Sequence, residues 1–410
     1  MFVKPLLSHR SDSFIMFSRI AVIDENVGVD IHKLKKKVRD GDDPSDVLLL
    51  GLLYLTGNGI ARNPAKAEVL IRRAAEAGYP KACHVLGITL RDGTFETDPV
   101  GSHMWILRAA EGGVAEAQMY AGIDLHNGDG VMRDDHAALM WLERSLENGC
   151  EDSRYFIGNL RYFSDDETIR DRDLGMSLLN AASDNGDRQA SMALCSVYAN
   201  GTGVERNMFM AEMMLRRAAA QGDADACHSL SRLYAAGTPH MEKDMGKSFE
   251  MLVRAVELGC TDALQDLGAA YMYGLGTGRD MGMAIRYLRE AADNGSPKAL
   301  VNLGLIYSNG MGVRKDEHRA VELYTRAVGM GDSTAMSNLG VMYAMGAGVR
   351  RDVERARELW TRAADLGNLN AVANLCVLEG LDGSDPSGVA CRVDLGRGPE
   401  VVELGNGRRD

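Results

Sequence analysis

The sequence predicts an all-α protein, a right-handed superhelical solenoid of about nine full two-helix repeats of roughly 36 residues, with a half-repeat at each end. Three observations predict it. An alanine returns at positions 82, 117, 190, 226, 263, 299, 335 and 371, with Ser153 in its place once, a spacing of about 35 to 37 residues. Five residues further on, a small residue recurs at Gly51, Gly87, Gly122, Gly158, Cys195, Ser231, Gly268, Gly304, Gly340 and Cys376. A glycine loop then follows in most copies, as in Gly310-Met311-Gly312.

Each unit reads as two helices. In helix A, Leu267 and Tyr271 flank Gly268 at helical offsets, and Gly-x-Gly stops the helix. Asp316 and Glu317 suit the first turn of helix B, where acidic side chains oppose the positive end of the dipole. Ala320, Leu323, Tyr324 and Ala327 give helix B its apolar stripe, and Gly331 closes it. Glycine inside a helix costs about 1 kcal/mol against alanine, so small residues in register need a packing reason. Close approach of helix B supplies it.

Taken in order, residues 1–29 are predicted to be a poorly ordered leader, and residues 30–40 helix B of a truncated first unit, with Ile31, Leu34 and Val38 on one face. Lysines cover its other face, as a terminal cap requires. Full units start near 46, 82, 117, 153, 190, 226, 263, 299 and 335, and a half-unit occupies 371–379. Residues 380–410 carry seven glycines and no apolar period, the composition of a disordered tail.

The recurring Ala-x(4)-Gly-x(2)-Tyr-x(2)-Gly-x-Gly-Val, followed by Lys-Ala as in Lys66-Ala67 and Ala-Ala as in Ala74-Ala75, resembles the Sel-1-like repeat family over residues 46 to 379. The 34-residue tetratricopeptide unit lacks the glycine loop and matches less well. Unit four departs most, with Arg161-Tyr162-Phe163-Ser164-Asp165-Asp166 in place of the loop, and unit six has Gly237-Thr238-Pro239. Some secreted bacterial members of the family are cysteine-rich with helices stapled in pairs. The seven cysteines here do not reproduce that pattern and imply a reduced, cytoplasmic protein. Lys4, Arg10 and Arg19 in the leader leave mitochondrial targeting as the alternative.

A net charge of −12 argues against a nucleic-acid partner bound through a broad basic surface, and no stretch approaches 18 apolar residues. Catalytic signatures are absent: no serine precedes lysine by three, and there is no Gly-x-Ser-x-Gly or His-Glu-x-x-His. Gly246-Lys247-Ser248 imitates a phosphate loop, but Met241 stands where its first glycine belongs. Cys83-His84 and Cys227-His228 fall four units apart, too far to share a metal ion. The three tryptophans read as helix B core residues. The expectation is a non-enzymatic scaffold with no cofactor and no metal, its oligomeric state open. The rivals are a weakly β-lactam-active hydrolase and a mitochondrial assembly factor.

Solenoids commonly bind partners on the concave helix A face. By analogy with tetratricopeptide geometry, a protein or peptide partner would meet His84, Arg91, His126, His228 and Arg232 in earlier units. It would meet Met272, Tyr273, Val301, Leu305, Val341 and Met345 in later ones. The groove is therefore expected to be polar near its start and apolar near its end.

Overall fold

The computed structural model describes residues 30–41, 43–239 and 241–381. The predicted leader and all but the first two residues of the predicted tail lie outside the described residues. The chain divides into two compact units, residues 1–211 and 212–410. Among the described residues there are twenty helices and no strand, only an isolated bridge between Thr238 and Met241.

In the first unit α1 (Ile31–Asp40) precedes the pairs α2 (Pro44–Thr56) with α3 (Pro64–Glu76) and α4 (Pro80–Arg91) with α5 (Pro99–Glu111). Two more pairs follow, α6 (Ala115–Asn127) with α7 (Asp135–Glu147) and α8 (Ser153–Phe163) with α9 (Arg172–Asp184). Next come α10 (Arg188–Asn200) and α11 (Met208–Ala220), in which the unit boundary falls. The second unit pairs α12 (Ala224–Ala236) with α13 (Met245–Glu257) and α14 (Asp262–Tyr273) with α15 (Met281–Asp293). It continues with α16 (Pro297–Asn309) on α17 (Glu317–Gly329), α18 (Ser333–Met345) on α19 (Val353–Asp365), and ends on α20 (Leu369–Leu381). Helix thus continues two residues past the predicted half-unit.

The period alanines occupy one site throughout. Ala82, Ala117, Ala190, Ala226, Ala263, Ala299, Ala335 and Ala371 are all fully buried, as is Ser153. The small site packs on one helix B position. A Cβ added to Gly51 would lie 2.9 Å from Ile71, to Gly87 2.6 Å from Ile106, to Gly122 2.6 Å from Leu142, and to Gly268 2.7 Å from Leu288. At Gly304 it would meet the Tyr324 ring at 2.5 Å, and at Gly340 the Trp360 indole closer still. Of the three tryptophans only Trp360 is core, its indole N–H donating to the Ser337 carbonyl. Trp105 and Trp141 are half-buried, carrying the guanidinium groups of Arg108 and Arg144 on their rings.

Every helix B starts in the same way. The side chains of Asn63, Asp98, Asp134, Asp171, Asn207, Asp244, Asp280, Asp316 and Asp352 each accept from the backbone N–H three residues on. Asp316 is thus an N-cap and not a first-turn residue, a role worth about 1 kcal/mol. The backbone N–H of each cap residue in turn donates to the last turn of helix A, as Asp316 does to the Tyr307 carbonyl. A cation three residues beyond the cap lies over the same repeat's tyrosine: Lys66 over Tyr54, Lys247 over Tyr234, Arg319 over Tyr307. The phosphate-loop imitation is therefore the capped first turn of α13.

The two loop glycines do different work. Gly128, at φ 80°, is the left-handed cap of α6. Gly130, at φ 72°, lies directly on the backbone of Pro99, the first residue of the preceding helix B. The second glycines of later loops meet the same position: Gly276 meets Met245, Gly312 meets Met281 and Gly348 meets Glu317. Unit four replaces this contact with side chains. Ile169 is buried, the Thr168 hydroxyl bonds His136 at 2.9 Å, and Arg161 donates to the Ile169 carbonyl.

Gly304→Leu is expected to cost about 1–3 kcal/mol by overpacking against Tyr324, although leucine is the better helix former. Adding Tyr324→Ala is expected to recover part of that loss, which urea unfolding of the single and double variants checks. Gly113, at φ 84°, has nothing within 4 Å of its missing Cβ. Gly113→Ala is therefore expected to cost only the left-handed strain of about 1–2 kcal/mol, and Gly130→Ala distinctly more. Equal melting temperatures for those two variants would contradict the contact assigned to the second glycine.

Candidate interaction face

His84, His228 and Val301 stand three residues before the small site of their repeats, and Arg232, Leu305 and Val341 stand one residue after it. In the first unit the expected face is polar and its charges are already paired. Arg91, at the end of α4, forms an ion pair with the fully buried Asp124 of α6. The other Asp124 oxygen lies 3.1 Å from Nδ1 of His103 on α5. The Arg91 guanidinium also lies 5.0 Å from the Tyr120 ring centroid, and the His84 ring is tilted against the same tyrosine at 5.8 Å. His126 Nδ1 lies 2.7 Å from Asp135, which also takes two hydrogen bonds from Arg133. Burial raises the Asp135 carboxyl, but those hydrogen bonds outweigh it and hold the group below the usual carboxylate range.

His84 and His228 occupy the same register four repeats apart and titrate in opposite directions. His84 is 1% exposed with no partner on Nε2, and burial, reinforced by the Arg91 charge, lowers it to about 4. His228 has the carboxylate that His84 lacks. Its Nε2 lies 2.8 Å from Asp266, and that hydrogen bond, with a second donated to the Cys260 sulfur, raises it to about 9. Arg232, one turn further along α12, is exposed.

Half of the residues expected at the apolar end of the groove are core. Met272, Val301 and Leu305 are 1%, 2% and 3% exposed, packed in one cluster with Met336 and Met342 of α18. Neighbouring helices A lie close enough to cover one another's inner side chains, so these three are not presented to a partner. Tyr273 and Val341 are half-buried, and Met345 is 71% exposed. Behind them the Tyr324 ring crosses Gly304, placing its hydroxyl beside Ser308 and Asn338. The Tyr273 and Tyr324 hydroxyls and the Asn338 amide nitrogen are buried without hydrogen-bond partners. Leaving such a group unpaired costs about 1–3 kcal/mol.

Among the described residues no group of three or more His, Cys, Asp or Glu side chains is arranged to hold a metal ion, and no cysteine pair is bridged. The carboxylates that organise the polar end, Asp124, Asp135 and Asp266, are residues that the repeat pattern alone does not single out.

The histidine shifts give a pH dependence with a definite sign. His228 titrates in the fold above its ordinary 6.5, so its stabilisation is full below about 6.5 and disappears as the pH rises through about 9. His84 titrates below 6.5, so stability falls as the pH drops from about 6.5 toward 4. Asp266→Asn is expected to remove the alkaline-side loss and leave the acid-side loss intact. Unfolding free energies between pH 4 and 9 check this, and an unchanged alkaline limb contradicts it.

The Sel1 repeat pattern matches nine consecutive segments: residues 47–79, 80–114, 115–150, 152–187, 189–223, 224–260, 261–296, 297–332 and 333–368. No curated protein matches the chain. Among solved structures, c5321, a protective antigen of uropathogenic Escherichia coli strains displaying an SLR fold, is 25% identical. The match covers 90% of this chain and 88% of that one, with a TM-score of 0.49. A Sel1 repeat protein from Oxalobacter formigenes is 26% identical over 92% of this chain and 96% of its own, with a TM-score of 0.40. On its nine matching segments, each a pair of helices with a small site between them, the chain belongs to the Sel1 repeat family.

Proposed function

We propose that the chain is a non-enzymatic adaptor that holds a protein or peptide partner on the helix A side of its second unit. Sel1 repeat proteins generally mediate protein–protein interaction, and stacked helical hairpins offer an extended surface for it. The observation that carries the reading is the pair Val341 and Met345, four residues apart on α18 and exposed in part or in large measure. Tyr273 lies half-buried on the same side. An apolar side chain of a partner covers Val341 and Met345. Arg232 adds an exposed charge that fixes direction.

Val341→Lys with Met345→Lys is expected to abolish partner retention without lowering the melting temperature, because neither position is core and a lysine must be desolvated at the contact. Leu305→Lys is expected to behave in the opposite way, unfolding the second unit by burying an unpaired charge. Pull-down with purified wild type and variants, each checked by thermal melting, tests both. Undiminished retention by a well-folded double variant contradicts the assigned face. Turnover of a chromogenic β-lactam by the wild type would contradict the non-enzymatic reading.

A further inference from the structure

In three repeats the residue after the unit-closing glycine lies against the helix A residue three before the small site of the same repeat. In the seventh repeat these are Ser296 and Gln265, whose side-chain oxygens are 2.6 Å apart. In the third they are Cys150 and Met119, sulfur to sulfur at 3.9 Å. In the sixth they are Cys260 and His228, where the imidazole donates to the thiol sulfur. The same imidazole is held by Asp266 on α14, 2.8 Å from Nε2. A thiol, an imidazole and a carboxylate thus follow one another, the order in which a base activates a nucleophile and a third group fixes the base.

Cys150 and Cys260 occupy equivalent positions and are equally enclosed, 8% and 7% exposed, but only Cys260 has a base beside it. Burial pushes up the thiols of Cys83, Cys150, Cys195 and Cys227, Cys195 to about 11, which keeps them protonated and unreactive. The side chains of His228 and Asp266 are 16% and 14% exposed, which leaves a small reagent a way in from solvent. One carboxylate opposes charge on the sulfur: Asp225 Oδ1, 3.7 Å away, accepts from the thiol. Asp225 is exposed and screened by water, whereas His228 is more enclosed and its charge is felt more strongly. The neighbouring Cys227 stays a neutral thiol.

We propose that Cys260 is a site of covalent modification, a thiol that His228 and Asp266 prime for oxidation by a hydroperoxide to a sulfenic acid. With its proton on His228, the sulfur attacks one oxygen of hydrogen peroxide and the O–O bond breaks. The leaving hydroxide takes the proton from the imidazolium and departs as water. Sulfur is oxidised by two electrons, the peroxide is reduced, and His228 is left neutral. Asp266 is a positioning residue, which orients the ring and stabilises the imidazolium.

The test adds hydrogen peroxide to the full chain with dimedone as the sulfenic-acid trap and follows the label at each cysteine by peptide mass spectrometry. Cys260 is expected to label about 10-fold or more faster than Cys150, a comparison within one molecule that needs no variant. His228→Gln, and independently Asp266→Asn, is expected to bring Cys260 down to the Cys150 rate, with thermal melting confirming that each variant is folded. The pH profile separates this role from packing. Wild-type labelling at Cys260 is expected to change little between pH 6.5 and 8, whereas in His228→Gln it climbs with pH as an ordinary thiol does. Equal rates at Cys260 and Cys150 overturn the proposal. So does a Cys260 rate that survives both substitutions, or one pH profile shared by wild type and His228→Gln.

Discussion

Where helix A passes helix B, the side chain of an Ile, Leu, Tyr or Trp lies on bare backbone, and the separation of the two helices follows from that contact. A glycine at the small site concedes about 1 kcal/mol of helix propensity, and the close packing it permits returns more than that. The same bareness lets side chains of very different size occupy the helix B position, from Ile71 to Trp360, without changing the fold of the repeat. At Gly304 the accommodation goes furthest. The tyrosine passes across the glycine and carries its hydroxyl to the inner side of the unit, beside Ser308 and Asn338.

The connection between the helices keeps that contact in register. In most repeats a left-handed glycine ends helix A; in all of them an Asp or Asn side chain caps helix B, and the backbone N–H of the cap residue closes the loop onto a carbonyl near the end of helix A, most often the tyrosine's. The second loop glycine then seats the repeat on the start of the preceding helix B. Arginines near the end of helix B tie successive repeats together as well. Arg73 donates to the Val38 carbonyl and Arg254 to the Ala220 carbonyl, satisfying groups that the end of a helix leaves open.

The period, the two-helix unit, the glycine stops and the packing reason for the small site were legible in the sequence because each repeats and each carries a local cost that demands a cause. The cap role of Asp316 was less so, since an acidic residue before a helix suits either the dipole or the cap. A repeat also shows which side chains point inward but not how closely the next helix A covers them. Met272, Val301 and Leu305 therefore look like groove residues in the sequence and are core residues in the fold. The polar end was half legible. His84 and His228 share a register, yet their opposite behaviour depends on Asp266, a carboxylate 38 residues away that the pattern does not mark.

The most direct measurement is a glycine-to-alanine series at Gly51, Gly87, Gly122, Gly158, Gly268, Gly304 and Gly340, with each variant's unfolding midpoint in urea. If contact between the helices sets the fold, the cost follows the closeness of the facing side chain. It is then largest at Gly340 and Gly304, which lie under Trp360 and Tyr324, and smallest at Gly158, where the nearest atoms would be 3.1 Å away. If alanine instead stabilises every position through its helix propensity, or the costs bear no relation to the facing residue, the small site is not what holds the repeats together.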